Sequence, residues 1–62
     1  MKHTVKFWKT SKDSTRGEAV VVSEDLSENN ADIVATALLM YGVYAVEIFE
    51  TSSGNTIFHS LD

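Results

Sequence analysis

Residues 2–10 alternate between two sets of side chains. His3, Val5 and Phe7 fall on one side of an extended chain, and Thr4, Lys6, Trp8 and Thr10 on the other, because successive strand residues point to opposite faces. The period predicts a first strand. Residues 11–17 (SKDSTRG) are polar and end on glycine, the text of a connecting loop that is long for a hairpin. Residues 18–23 (EAVVVS) follow as a second strand, favoured by three valines whose branched Cβ restricts χ1.

The period then changes from two to 3.6. Over roughly residues 26–41, Asn30, Val34, Ala37, Leu38 and Tyr41 share one helical stripe, flanked by Ala31 and Ile33, while Asp32 and Thr36 face away. Two starts compete. Asp25 with Glu28 makes a capping pair, and Ser27 is an equally good N-cap. Early carboxylates suit the positive end of the helix dipole. Gly42 is placed to close the helix in the left-handed conformation. The last turn holds no Lys or Arg, which leaves its carbonyl end without a compensating charge.

Residues 43–51 alternate again, with Tyr44, Val46 and Ile48 in one row and Ala45, Glu47 and Phe49 in the other. The turn SSGN leads into a last strand over 55–61, with Gly54-Asn55 adopting positive φ at little steric cost. The order is ββαββ: an α+β domain spanning residues 1–62. Two hairpins joined by a helix give a fully antiparallel sheet in the order 2-1-3-4, a right-handed crossover over one strand. The single helix covers one sheet face and leaves the other without cover of that kind.

Hydrophobicity assigns the faces. Val5, Phe7, Tyr44, Val46 and Ile48 are the expected core, meeting Val34, Ala37, Leu38 and Tyr41 of the helix. The opposite face then carries Lys6 and Trp8 from the first strand, Ala45, Glu47 and Phe49 from the third, and either Ile57 or Phe58 from the last. One row of the second strand joins as well, either Glu18, Val20 and Val22 or Ala19 and Val21. An uncovered sheet face is usually polar. Aromatics near its middle make it the candidate partner-binding surface, with Trp8, Lys6, Phe49, Glu47 and Phe58 as its residues. Three outcomes are open: self-association as a homodimer, a different protein partner, or cover by the 10–17 loop and the C-terminal residues. A one-residue slip in register would exchange the faces.

Composition narrows the class. A chain of 62 residues with 44% hydrophobic content is long enough for one domain and too apolar for disorder. Its stability margin is thin. The absence of cysteine excludes disulfides and thiolate metal sites, and two histidines are too few for a His-only zinc site. No cofactor is expected. The N-terminus lacks an apolar signal core. The most apolar stretch, residues 33–49, is interrupted by Thr36, Gly42 and Glu47, so no membrane span is expected and the default location is cytoplasmic. Charge is unevenly distributed. All five basic residues lie within the first sixteen, and from residue 17 onward there are eight acids and no Lys or Arg. Such asymmetry belongs either to a solvated surface or to faces that orient a partner.

No nucleophile–base constellation is present. His3 and His59 lie at opposite ends of the chain, the Glu24/Asp25 pair sits at the helix start, and SSGN lacks the glycine run and lysine of a phosphate loop. Enzymatic activity is therefore not expected. Lys6, Trp8 and Phe49 have the makings of a single-strand stacking platform, but a net charge of −4 opposes phosphate binding. Nucleic acid is the lesser alternative to a protein partner.

The run KFW at Lys6-Phe7-Trp8, a polar hairpin, EAVVVSEDL, a helix and YAVEIFE together resemble small phage-encoded inhibitors of host RNA polymerase from podovirus-type coliphages, across about residues 6–50. The resemblance implies a compact accessory protein that modulates a host enzyme by direct binding. Those inhibitors carry basic residues on the last strand. Glu47 and Glu50 stand in the corresponding stretch here, so the inhibitory residues themselves do not carry over.

Overall fold

The computed structural model describes residues 2–10 and 19–61. The predicted 11–17 loop, Glu18 at the expected start of the second strand, and the expected cover by that loop lie outside the described residues. The elements are β1 (His3–Trp8), β2 (Val20–Leu26), α1 (Glu28–Tyr41), β3 (Ala45–Glu50) and β4 (Thr56–His59). They form a four-stranded antiparallel sheet in the order β2-β1-β3-β4, with α1 on one face. This is the ββαββ arrangement and strand order expected from the two hairpins and the helical crossover.

The central pair β1–β3 has an unbroken register, with Val5 opposite Ile48, Lys6 opposite Glu47, Phe7 opposite Val46 and Trp8 opposite Ala45. The outer strands are less regular. β2 shifts register twice against β1, and β4 shifts once against β3 between Ile48 and Phe49. Each shift inserts a residue and changes which side chain points inward. β2 thereby runs three residues past the expected end at Ser23 and brings Leu26 opposite His3 and onto the core. The Leu26 carbonyl accepts a hydrogen bond from Nδ1 of the buried His3 at 3.3 Å. A carbonyl can only accept, so the ring proton sits on Nδ1.

Of the two helix starts, the structure uses Ser27. Its extended backbone (φ −67°, ψ 161°) and its Oγ, which accepts from the Asn30 N–H at 3.2 Å, satisfy an N–H that the first turn would leave unpaired. Asp25 stays in β2 and makes an exposed ion pair with Lys2 at 3.3 Å. Gly42 closes the helix at φ 113°, donating to the Leu38 and Leu39 carbonyls.

The core joins Val5, Val46 and Ile48 of the sheet to Ala31 and Ala35 of the helix, with Phe7, Leu26, Val34, Leu38 and Val43 packed around them. The sheet rows are as expected, apart from Tyr44, which lies just before β3 and is exposed. The helix is rotated. Ala31, Val34, Ala35 and Leu38 face the sheet, whereas Asn30, Ala37 and Tyr41 of the expected stripe are exposed. At 3.6 residues per turn the two stripes differ by roughly 60° about the helix axis. The physical reason is size: two alanines one turn apart let the helix backbone settle close to the sheet, and the bulkier residues are turned outward.

Candidate binding surfaces

The sheet face away from the helix holds Lys6, Trp8, Ala45, Glu47 and Phe49 as expected, but they enclose one another. Trp8 is only 8% exposed. The His59 ring lies over it, centroid to centroid at 5.4 Å and tilted by 32°. Lys6 places its ammonium 5.4 Å from the Trp8 ring and 5.3 Å from the Phe49 ring, within cation–π range of both. The same ammonium is 3.4 Å from Glu47 Oε1, and the Thr56 hydroxyl donates to Glu47 Oε2. Lys6, Glu47 and Phe49 are half-buried as a result. Small neighbours complete the closure: Ala45, opposite Trp8, and Thr4 are both fully buried.

Hydrogen bonds fasten the rim of this face. Thr51 donates its hydroxyl proton to the Glu24 carbonyl at 3.1 Å, so in the 2.8 Å contact between Thr4 and Thr51 it is Thr4 that donates. This chain ties β1 to β2 and to the turn after β3. At the other edge, the Ser60 N–H donates to the Val46 carbonyl and Ser60 Oγ accepts from the Val46 N–H, each at 3.0 Å. These bonds hold the C-terminal segment beside β3. The Trp8 ring N–H has no acceptor among the described residues. Such an orphan donor costs about 1–3 kcal/mol, which the packing of a large ring offsets.

Two expectations are therefore corrected. Trp8 is not an exposed anchor: it is 8% exposed, with the His59 ring and the Lys6 ammonium against it. Phe58 does not join it: it pairs with Ile48, whose side chain is in the core, and so lies at the edge on the helix side. His59, two places along the strand from the bulge, takes the position beside Trp8 instead. The signal that could have placed His59 is the register of β4, which a bulge following a four-residue turn conceals.

The exposed apolar surface lies elsewhere. On α1, opposite the Ala31–Ala35 stripe, Ile33 is 59% exposed and Met40 83%; Tyr41, at the C-terminal end and nearer the core side, is 89% exposed. Asn29, Asp32, Ile33, Thr36, Ala37 and Met40 line a shallow groove along the outside of the helix. The spacing 29, 33, 36–37, 40 is that of a second helical seam. A helix with one buried stripe and a polar back is the usual surface element; here Ile33, Ala37 and Met40 interrupt the polar back formed by Asn29, Asp32 and Thr36. A further recess of about 300 Å³ at the C-terminal end of α1 is lined by Phe7, Lys9, Leu38, Tyr41, Gly42 and Val43. It is apolar except for Lys9 and sits at the floor of the ~300–1,000 Å³ range of small-molecule sites.

Among the described residues, no group of three or more His, Cys, Asp or Glu side chains could hold a metal ion, and no helix is long and apolar enough to cross a membrane. In comparisons with known proteins, no family model, curated protein or solved structure matches the chain.

Proposed function

We propose that this chain acts by binding protein and that the outer face of α1 is the surface it uses. One observation carries the reading. Ile33 and Met40 are large, mostly exposed and set on the helix side that the described residues leave uncovered. An apolar seam of this kind contributes nothing to the core of the chain that displays it, and contiguous exposed patches are the usual mark of an interaction site. The sheet face has less to offer a partner, since its tryptophan is spent on internal packing. Modulation of another enzyme by direct contact, the role implied by the resemblance to phage-encoded inhibitors, would be one use of such a seam.

Site-specific photo-crosslinking in the cells that make the protein tests this. A photoreactive side chain at position 40 is expected to give a covalent protein adduct that Ala37→Glu, in the same seam, abolishes. A photoreactive side chain at position 49, on the sheet face, is expected to give none. Adducts from position 49 with none from position 40 would return the binding surface to the sheet.

A further inference from the structure

We infer that the recess at the C-terminal end of α1 binds a small amphipathic carboxylate, with its apolar body against Phe7, Leu38 and Val43 and its carboxylate on Lys9. This site is separate from the outer seam of the helix and does not depend on the protein-binding reading.

The backbone makes the space. α1 ends at Tyr41, and Gly42 turns the chain at φ 113°. The side of Gly42 is open: a Cβ there would meet no atom within 4 Å. The end of β1 is tied beside this turn by the Tyr44 N–H, which donates to the Trp8 carbonyl at 3.0 Å, and Lys9 follows directly. The result is a recess of about 300 Å³ whose one charged lining residue is Lys9. Tyr41 lines it while remaining exposed, so its ring offers a surface that the core does not use. Such a volume holds a ligand of on the order of ten non-hydrogen atoms.

Charge selects the class of ligand. Lys2 is paired with Asp25, and Lys6 with Glu47. Lys9 has no ion pair among the described residues, and no acid lines the recess. Glu24, Asp25 and Glu50 gather at the His3 end of β1, about 20 Å along the strand from Lys9. Asp32 lies nine residues before Tyr41 on the helix, about 13 Å, and Glu28 is a further turn away. These separations exceed the ~8 Å over which exposed charges act at physiological salt. Glu47 belongs to the opposite sheet face, where Lys6 holds it. An anion therefore meets a cation here in spite of the net charge of −4.

The lining narrows the class further. A polyanion needs more than one cation and gains nothing from apolar walls. An ammonium finds no carboxylate. A neutral apolar molecule leaves Lys9 unused. The partial negative charge of the helix end opposes an anion on the helix axis, but the Leu38 and Leu39 carbonyls already accept from the Gly42 N–H, and Leu38 also from that of Val43. The carboxylate thus belongs on the Lys9 side of the recess. A ligand this small with one exposed ion pair is expected to have a dissociation constant in the high-micromolar to millimolar range.

Octanoate, octanamide and octylamine share one apolar body and differ in charge, so they serve as the probes. Each is titrated to about 10 mM, a span that covers such affinities, into the full chain and followed by amide NMR. Octanoate is expected to shift the amides of Phe7, Leu38, Gly42 and Val43 and to bind about threefold more tightly than octanamide, the size of one exposed ion pair. Lys9→Gln, at an exposed position, is expected to keep the dispersed spectrum and to make the two equal. Lys9→Glu is expected to reverse the order, with octylamine the tightest of the three. Tyr41→Ala is expected to weaken all three alike. No shift at these amides, equal affinity of the unaltered chain for the three probes, an order unchanged in Lys9→Glu, or shifts confined to Ile33 and Met40 would each overturn the inference.

Discussion

The two faces of this molecule reverse the roles that their residues suggest. The sheet face has the tryptophan, a lysine between two aromatic rings and an ion pair, yet Trp8 is nearly sealed. The outer helix face has plainer residues, and its largest side chains stand in solvent. The difference lies in neighbours. On a sheet, side chains two residues apart and on adjacent strands are close enough to cover one another, so an aromatic row can bury itself. Residues on the outer side of a lone helix have only the next turn beside them, so Ile33 and Met40 stay mostly exposed among the described residues.

Substitutions can break this contrast, and the largest effect is expected on the sheet face. Trp8→Ala removes the ring that His59, Lys6 and Ala45 surround. It should cost about 3–5 kcal/mol, a large part of the stability of so small a domain. Urea unfolding followed by circular dichroism checks it; a loss below about 1 kcal/mol, as for an exposed side chain, would mean that Trp8 is not packed as described. Ala35→Leu tests the close approach of helix to sheet. It should destabilise by about 1–3 kcal/mol through overpacking, whereas Ala37→Leu, on the outer seam, should not. Equal effects would place the sheet-facing stripe elsewhere. Ser27→Ala should cost about 1 kcal/mol by removing the cap, and Asp25→Ala much less, since only Ser27 caps the helix; the comparison is made by thermal unfolding. The smallest effect on the isolated fold is expected from Met40→Asp, within about 0.5 kcal/mol when measured in dilute solution.

Much of the fold can be read from alternation and period. The rows of β1 and β3, the strand order and the Gly42 terminus follow from chemistry that the tertiary structure does not override, while the helix start stayed open between Asp25 and Ser27 until the structure gave it to Ser27. What escaped that reading has three physical causes. β2 and β4 contain register shifts, and an inserted residue leaves no trace in composition; this hid Leu26 and His59 from their rows and put Phe58 on the wrong one. Alanine carries little hydrophobic weight, so a wheel drawn from bulk alone turned α1 toward Tyr41 and away from Ala31 and Ala35. Burial, finally, is a property of neighbours. Lys6 and Glu47 read as surface charge, yet they pair across the central strands and help to close the face around Trp8. The candidate surface shifted from sheet to helix for these last two reasons together.

Hydroxyl-radical footprinting, read by mass spectrometry at a concentration where the chain is a monomer, compares both faces in one sample. Each residue is referenced to its own rate in the urea-unfolded chain. Met40 and Tyr41 are expected to react at close to their unfolded rates, and Trp8 at a small fraction of its own. Trp8 reacting as freely as Tyr41 would contradict the closed sheet face and the account built on it.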